Sequence, residues 1–80
     1  MSRCCGLSGV GFIEVGGRRV GILGLRRALE EVAKLGLADP ETIGEELLAR
    51  VSRENFVPPA QRLAYREALL RAYRKAVGDG

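Results

Sequence analysis

Residues 10–23, VGFIEVGGRRVGIL, decide the fold of this chain: two short apolar runs flank Gly16-Gly17. A two-residue glycine loop suits the type I′ or II′ turn that joins antiparallel strands, and such a loop fixes their register. Val15 then faces Arg18, Glu14 faces Arg19, Ile13 faces Val20, and Phe12 faces Gly21. An opposite-charge pair and a β-branched pair lie directly across the ladder, which supports this alignment. Strand alternation places Ile13, Val15, Val20 and Ile22 on one face. Val10, Phe12 and Leu23 fall on the other, beside Glu14 and Arg19. An isolated hairpin is marginal, and one helical layer covers one face. The pattern therefore predicts either helices on both sides or a second chain over the remainder, and favours the second chain.

Three helices follow the hairpin. In residues 24–36, GLRRALEEVAKLG, the apolar positions Leu25, Ala28, Leu29, Val32 and Leu35 recur at helical spacing, and Gly36 is a natural stop. Residues 39–55, DPETIGEELLARVSREN, open with a capping Asp39, a first-turn Pro40 and an acidic Glu41. This second helix is expected to run to near Asn55. Gly44 interrupts it at a cost of about 1 kcal/mol relative to alanine, which points to close packing against another backbone. The proline-bound FVPP at residues 56–59 is an extended connector. A third helix, AQRLAYREALLRAYRKAV at residues 60–77, has an apolar arc covering more than half its circumference. So broad an arc again implies a partner surface. The fold class is thus α+β, a two-stranded antiparallel hairpin followed by three helices. Residues 1–80 read as a single domain, with 1–9 a flexible Gly/Cys leader and 78–80 a frayed tail.

Size makes self-association attractive. Chains of 80 residues sit near the lower end of what folds alone, burying only about 60% of their unfolded surface. Such domains often gain a metal, disulfides or a partner chain. Residues that point to a homo-oligomeric interface, a dimer, are Ile13, Val15, Val20 and Ile22 of the hairpin and Tyr65, Leu69 and Tyr73 of the last helix. Charge is also segregated. Residues 1–27 carry five arginines against Glu14 alone, residues 28–55 three cations against seven carboxylates, and residues 56–80 five cations against two carboxylates. Opposite-signed segments of this kind suit electrostatic self-association or a protein partner.

The N-terminal MSRCCGLSG holds the candidate chemistry. Adjacent Cα atoms lie about 3.8 Å apart. A relaxed disulfide prefers roughly 4.4–6.8 Å, so a structural bridge between Cys4 and Cys5 is disfavoured. The pair suits a soft ion instead: Cu(I), a metalloid, or zinc completed by another chain, since a closed zinc site needs four ligands. Arg3 is placed to lower a thiol pKa. The alternative is that the cysteines are incidental in a leader. GLSGVG precedes a strand rather than opening a helix, so it does not fit a phosphate loop.

Other classes fit less well. The sequence contains no histidine, which removes Ser-His and Cys-His nucleophiles and the usual base near neutral pH. Hydrolytic chemistry is disfavoured on that ground, while a cysteine-only redox role is not excluded. A pI near 9.3 invites comparison with nucleic-acid binders. Against that, the second helix of LRRALEEVAKLGLADPETIGEELLARV carries Glu41, Glu45 and Glu46 where bases would be read. No apolar run approaches the roughly 20 residues of a membrane span, and no secretory signal pattern opens the chain. A cytoplasmic setting is the expectation.

The N-terminal CCG together with the C-terminal EELLARVSRENFVPPAQRLAYREALLRAYRK resembles small prokaryotic proteins of uncharacterised function that carry a leading cysteine pair. The resemblance implies a bacterial or archaeal cytosol and assigns no activity. Three functions are therefore expected: a non-enzymatic binder of a soft metal or redox partner through Cys4 and Cys5, a homo-oligomeric interaction module, and a nucleic-acid-binding protein.

Overall fold

The computed structural model of the protein describes residues 10–78. β1 (Val10–Val15) and β2 (Arg18–Leu23) form an antiparallel sheet. They are followed by α1 (Leu25–Leu35), α2 (Pro40–Val51), a 3-10 turn (Pro59–Gln61) and α3 (Arg62–Gly78). The α+β order read from the sequence is the order observed. The leader at residues 1–9 and the end of the tail at 79–80 lie outside the described residues, while Gly78 is the last residue of α3.

The hairpin takes the expected register, with Val15 opposite Arg18, Glu14 opposite Arg19, Ile13 opposite Val20 and Phe12 opposite Gly21. Gly16 (φ 58°) and Gly17 (φ 80°) are both left-handed, as a type I′ turn demands. An L side chain at either position would be strained, so this dipeptide sets which residues meet across the ladder.

Local signals also set the helix ends. Asp39 Oδ2 accepts hydrogen bonds from the Thr42 backbone N–H at 3.0 Å and the Thr42 hydroxyl at 2.9 Å, capping α2. Gly36 closes α1 with φ 67°. The other end of α2 departs from expectation, stopping at Val51 instead of continuing to Asn55. There the Val51 carbonyl accepts from Glu54 N at 3.1 Å, Asn55 N at 2.9 Å and Asn55 Nδ2 at 2.8 Å. The chain curls over the helix end because Asn55 is held elsewhere, as described below.

One core joins all the elements. β1 lies against α1 and α3, and α2 packs on both helices. Ile13, Val15 and Ile22 are buried beneath the hairpin; Val32, Leu47, Leu48 and Leu69 are fully enclosed among the helices. Each large side chain so buried contributes roughly 1.5–3 kcal/mol. Two glycines permit the closest approaches. A Cβ on Gly44 would lie 2.6 Å from Arg66 Cγ, so α3 crosses α2 there, as the interrupted helix pattern predicted. A Cβ on Gly11 would lie 2.6 Å from Leu25 Cδ2, so β1 rests directly on the start of α1.

Helices cover only the inner face of the hairpin. On the outer face Phe12 is 60% exposed and Leu23 48% exposed. The broad arc of α3 is likewise only partly used. Tyr65, Ala68 and Leu69 are buried, Leu70, Ala72 and Tyr73 pack at the core margin, and Leu63 and Val77 remain exposed.

Candidate functional site

The hairpin's free edge and its flank on α3 form the surface most open to a partner. Leu23 N donates to Asn55 Oδ1 at 2.8 Å, and Asn55 Nδ2 donates to Leu23 O at 3.0 Å. The side-chain amide thus pairs with β2 as a neighbouring strand would. Both backbone groups of Leu23 therefore point away from β1. In an antiparallel ladder this orientation alternates, so the N–H and C=O of Gly21 and Arg19 point outward too. Among the described residues nothing hydrogen-bonds to them. Asn55 closes the edge at one end and the Gly16-Gly17 turn at the other, which leaves a short open stretch centred on Val20. A shallow groove of about 400 Å³ runs alongside it, floored by Gln61 of the 3-10 turn and Tyr65 of α3. Val20 is half-buried, with its inner-facing side chain at the margin of the core.

The flank of β1 differs in character. A groove of about 320 Å³ separates Phe12 and Glu14 from α3, with Ala68 and Ala72 on its floor. Arg19, Arg71 and Lys75 line it. The Arg19 guanidinium carbon lies 5.8 Å from the centroid of the Phe12 ring, within reach of a cation–π contact.

Five of the seven residues expected at an interface, Ile13, Val15, Ile22, Tyr65 and Leu69, are buried in the chain's own core. Periodicity marks a residue as apolar and inward but does not say whether the surface it meets is its own chain or another. Val20 and Tyr73 are only partly covered. The exposed apolar residues Phe12 and Leu23 sit instead on the opposite hairpin face. Cys4, Cys5 and their expected neighbour Arg3 lie outside the described residues. Among the described residues no cluster of three or more His, Cys, Asp or Glu side chains could hold a metal ion. No helix among them is long and apolar enough to cross a membrane.

The displaced titrations belong to structural contacts. The Thr42 hydroxyl, then its backbone N–H, lowers the pKa of Asp39. The hydrogen bond from Arg66 lowers that of Glu45, partly offset by desolvation, with the charge of Arg62 and its hydrogen bond adding smaller downward effects. Glu45 holds Arg62 at 2.9 Å and Arg66 at 3.0 Å on separate oxygens, tying α2 to α3. Arg50, its pKa raised chiefly by Glu46, also reaches Glu31 on α1 at 3.2 Å. These three arginines are thus engaged within the fold. So is Asn55, the single asparagine in the sequence and one of few side chains suited to adenine edges. Comparison with family models, with curated proteins and with solved structures finds no match to this chain.

Proposed function

We propose that this protein is a non-enzymatic interaction module that pairs with a second copy of itself along the outer edge of β2. The observation that carries this reading is the stretch at Arg19 and Gly21 that no bond among the described residues fills, bounded by Asn55 at one end and the turn at the other. Unpaired strand edges are templates for another strand. Two outward-facing residues per copy define one antiparallel alignment that avoids Asn55. Arg19 exchanges both backbone bonds with Gly21 of the partner subunit, and Gly21 with Arg19 of the partner subunit. The two-fold axis then passes beside Val20, which meets Val20 of the partner subunit on the inner face. The apolar row from Ile13 through Val20 continues into the second copy, and Gly21 presents no side chain to hinder the approach.

The contact is small. Four main-chain hydrogen bonds, each worth about 0.5–1.5 kcal/mol net, oppose an association cost of several kcal/mol. The dimer is therefore reversible and concentration-dependent. Size-exclusion chromatography with light scattering at high micromolar concentration tests it. A dimer lost on Val20→Lys, which sets a charge in the middle of the paired edge, supports the proposal. A monomeric wild type at that concentration contradicts it.

A further inference from the structure

We infer that the groove between β1 and α3 binds an acidic peptide segment anchored by an aliphatic side chain. The walls and floor differ in chemistry in a way that selects this ligand. The floor consists of the methyl groups of Ala68, buried, and Ala72, half-buried, and one wall is the exposed ring of Phe12. These groups offer an apolar ligand contact without a hydrogen bond to satisfy. The rim carries Arg19, Arg71 and Lys75 against Glu14 alone, and none of the three cations forms an ion pair among the described residues. Arg74 lies beside Arg71 in the adjoining groove, where Glu41 and Glu67 offset part of the positive charge. Net positive charge around an apolar floor complements a segment in which carboxylates flank a leucine or isoleucine.

Size and lining argue for a peptide over a nucleic acid. A volume of about 320 Å³ is at the low end of binding clefts, roughly 300–1,000 Å³, and suits one or two anchoring side chains. Single-stranded nucleic acids are held by successive aromatic platforms along a basic track. This groove has Phe12 alone as an aromatic platform. Neither Ala68 nor Ala72 can read a base edge. The site lies on the β1 side of the sheet and shares Arg19 with the β2 edge. The Arg19 guanidinium lies beside Phe12 while its backbone groups serve the edge, so the groove can be filled in a monomer or a dimer.

Fluorescence anisotropy on the full-length protein tests the site with a labelled peptide in which Leu-Leu is flanked on both sides by Asp and Glu. Its Asn/Gln isostere and a labelled oligothymidylate serve as comparisons. The acidic peptide is expected to bind, to weaken as salt is raised, and to outbind both comparisons. Arg71→Ala/Lys75→Ala should weaken it by about tenfold or more, the scale of losing two charged contacts. Phe12→Ala should weaken both the acidic peptide and any residual binding of the isostere. Arg26→Ala/Arg27→Ala, which removes the same charge from exposed positions on α1, should leave binding unchanged. Absence of binding by the acidic peptide, or equal loss in the two double variants, overturns the inference. Tighter binding of oligothymidylate than of the peptide overturns it in favour of a nucleic-acid surface.

Discussion

Asn55 holds Leu23 by both of its backbone groups, accepting from the N–H at 2.8 Å and donating to the carbonyl at 3.0 Å. A single side chain from the turn that follows α2 thereby takes the place of the next strand and terminates the sheet. The same amide bonds the Val51 carbonyl at 2.8 Å, so it also ends the helix. Strand β2 and helix α2, 32 residues apart at this contact, are locked by one residue.

Replacing that residue should therefore be costly for an exposed contact. Asn55→Ala leaves backbone groups of Leu23 and Val51 without their partner and is expected to destabilise the fold by about 1–3 kcal/mol. For a domain of this size that corresponds to a fall in melting temperature of roughly 4–8 °C per kcal/mol. Asn55→Asp keeps an acceptor for Leu23 N but loses the donor, and should fall between. Thermal melts followed by circular dichroism distinguish the three. A melting temperature for Asn55→Ala equal to wild type would show that the clasp carries no stability.

Two glycines with equally close neighbours should respond differently to alanine. At Gly11 the added methyl meets Cδ2, Cβ and Cγ of Leu25, a side chain enclosed in the core. Overpacking there should cost about 1–3 kcal/mol. At Gly44 the methyl meets the Arg66 stem, which can swing outward at the expense of its bond to Glu45. The gain in helix propensity of about 1 kcal/mol offsets much of that loss. Urea denaturation should rank Gly11→Ala clearly below Gly44→Ala; the reverse order would mean that β1 shifts more readily than α3.

Acid should weaken the fold through Asp39 and Glu45. Both carboxyl groups have lower pKa values folded than unfolded, Asp39 through Thr42 and Glu45 through Arg66. Their contribution is complete above the unfolded carboxylate range, near pH 4, and is lost as pH falls through the lower folded values. Melting temperature is expected to stay level on this account from neutral pH to about 5, then to fall. Asp39→Ala/Glu45→Ala, less stable at neutral pH, should show a smaller drop on acidification. An identical acid-dependent drop in both proteins would remove these two groups as its source.

Cys4 and Cys5 stand apart from the β2 edge in their consequences. Native mass spectrometry of protein purified under reducing conditions should show the same monomer–dimer distribution for wild type and Cys4→Ser/Cys5→Ser. Metal retained by wild type alone would add a soft-metal site to the interaction module. Loss of the dimer on removing the thiols would move the basis of assembly from the strand edge to the cysteines.

The elements and their order were legible because their signals are local. Gly16-Gly17 dictates a two-residue turn, and the turn dictates every pair from Val15–Arg18 to Phe12–Gly21. Asp39-Pro40 and Gly36 mark helix ends by backbone needs met within a few residues. What stayed hidden was long-range. Nothing near Asn55 indicates a bond to Leu23, and a lone asparagine after a helix reads equally well as its end. Apolar periodicity identified Ile13, Val15, Tyr65 and Leu69 as inward-facing but gave them to a partner, when the chain itself supplies the surface they meet. The open edge became visible only once the Leu23 bonds showed which way the β2 backbone points.

Gly21→Pro, followed by light scattering and amide hydrogen exchange, tests edge pairing most directly. Proline there removes an outward N–H that no bond among the described residues uses, so the hairpin is expected to survive, as edge strands tolerate proline. Edge pairing predicts a wild-type dimer at high micromolar concentration whose Arg19 and Gly21 amides gain protection as concentration rises. It also predicts a folded, monomeric Gly21→Pro variant in which the Arg19 amide exchanges freely at every concentration. Protection of these amides in a wild-type monomer would place the chain's own residues 1–9 on the edge, and a Gly21→Pro variant that still dimerises would contradict assembly through β2.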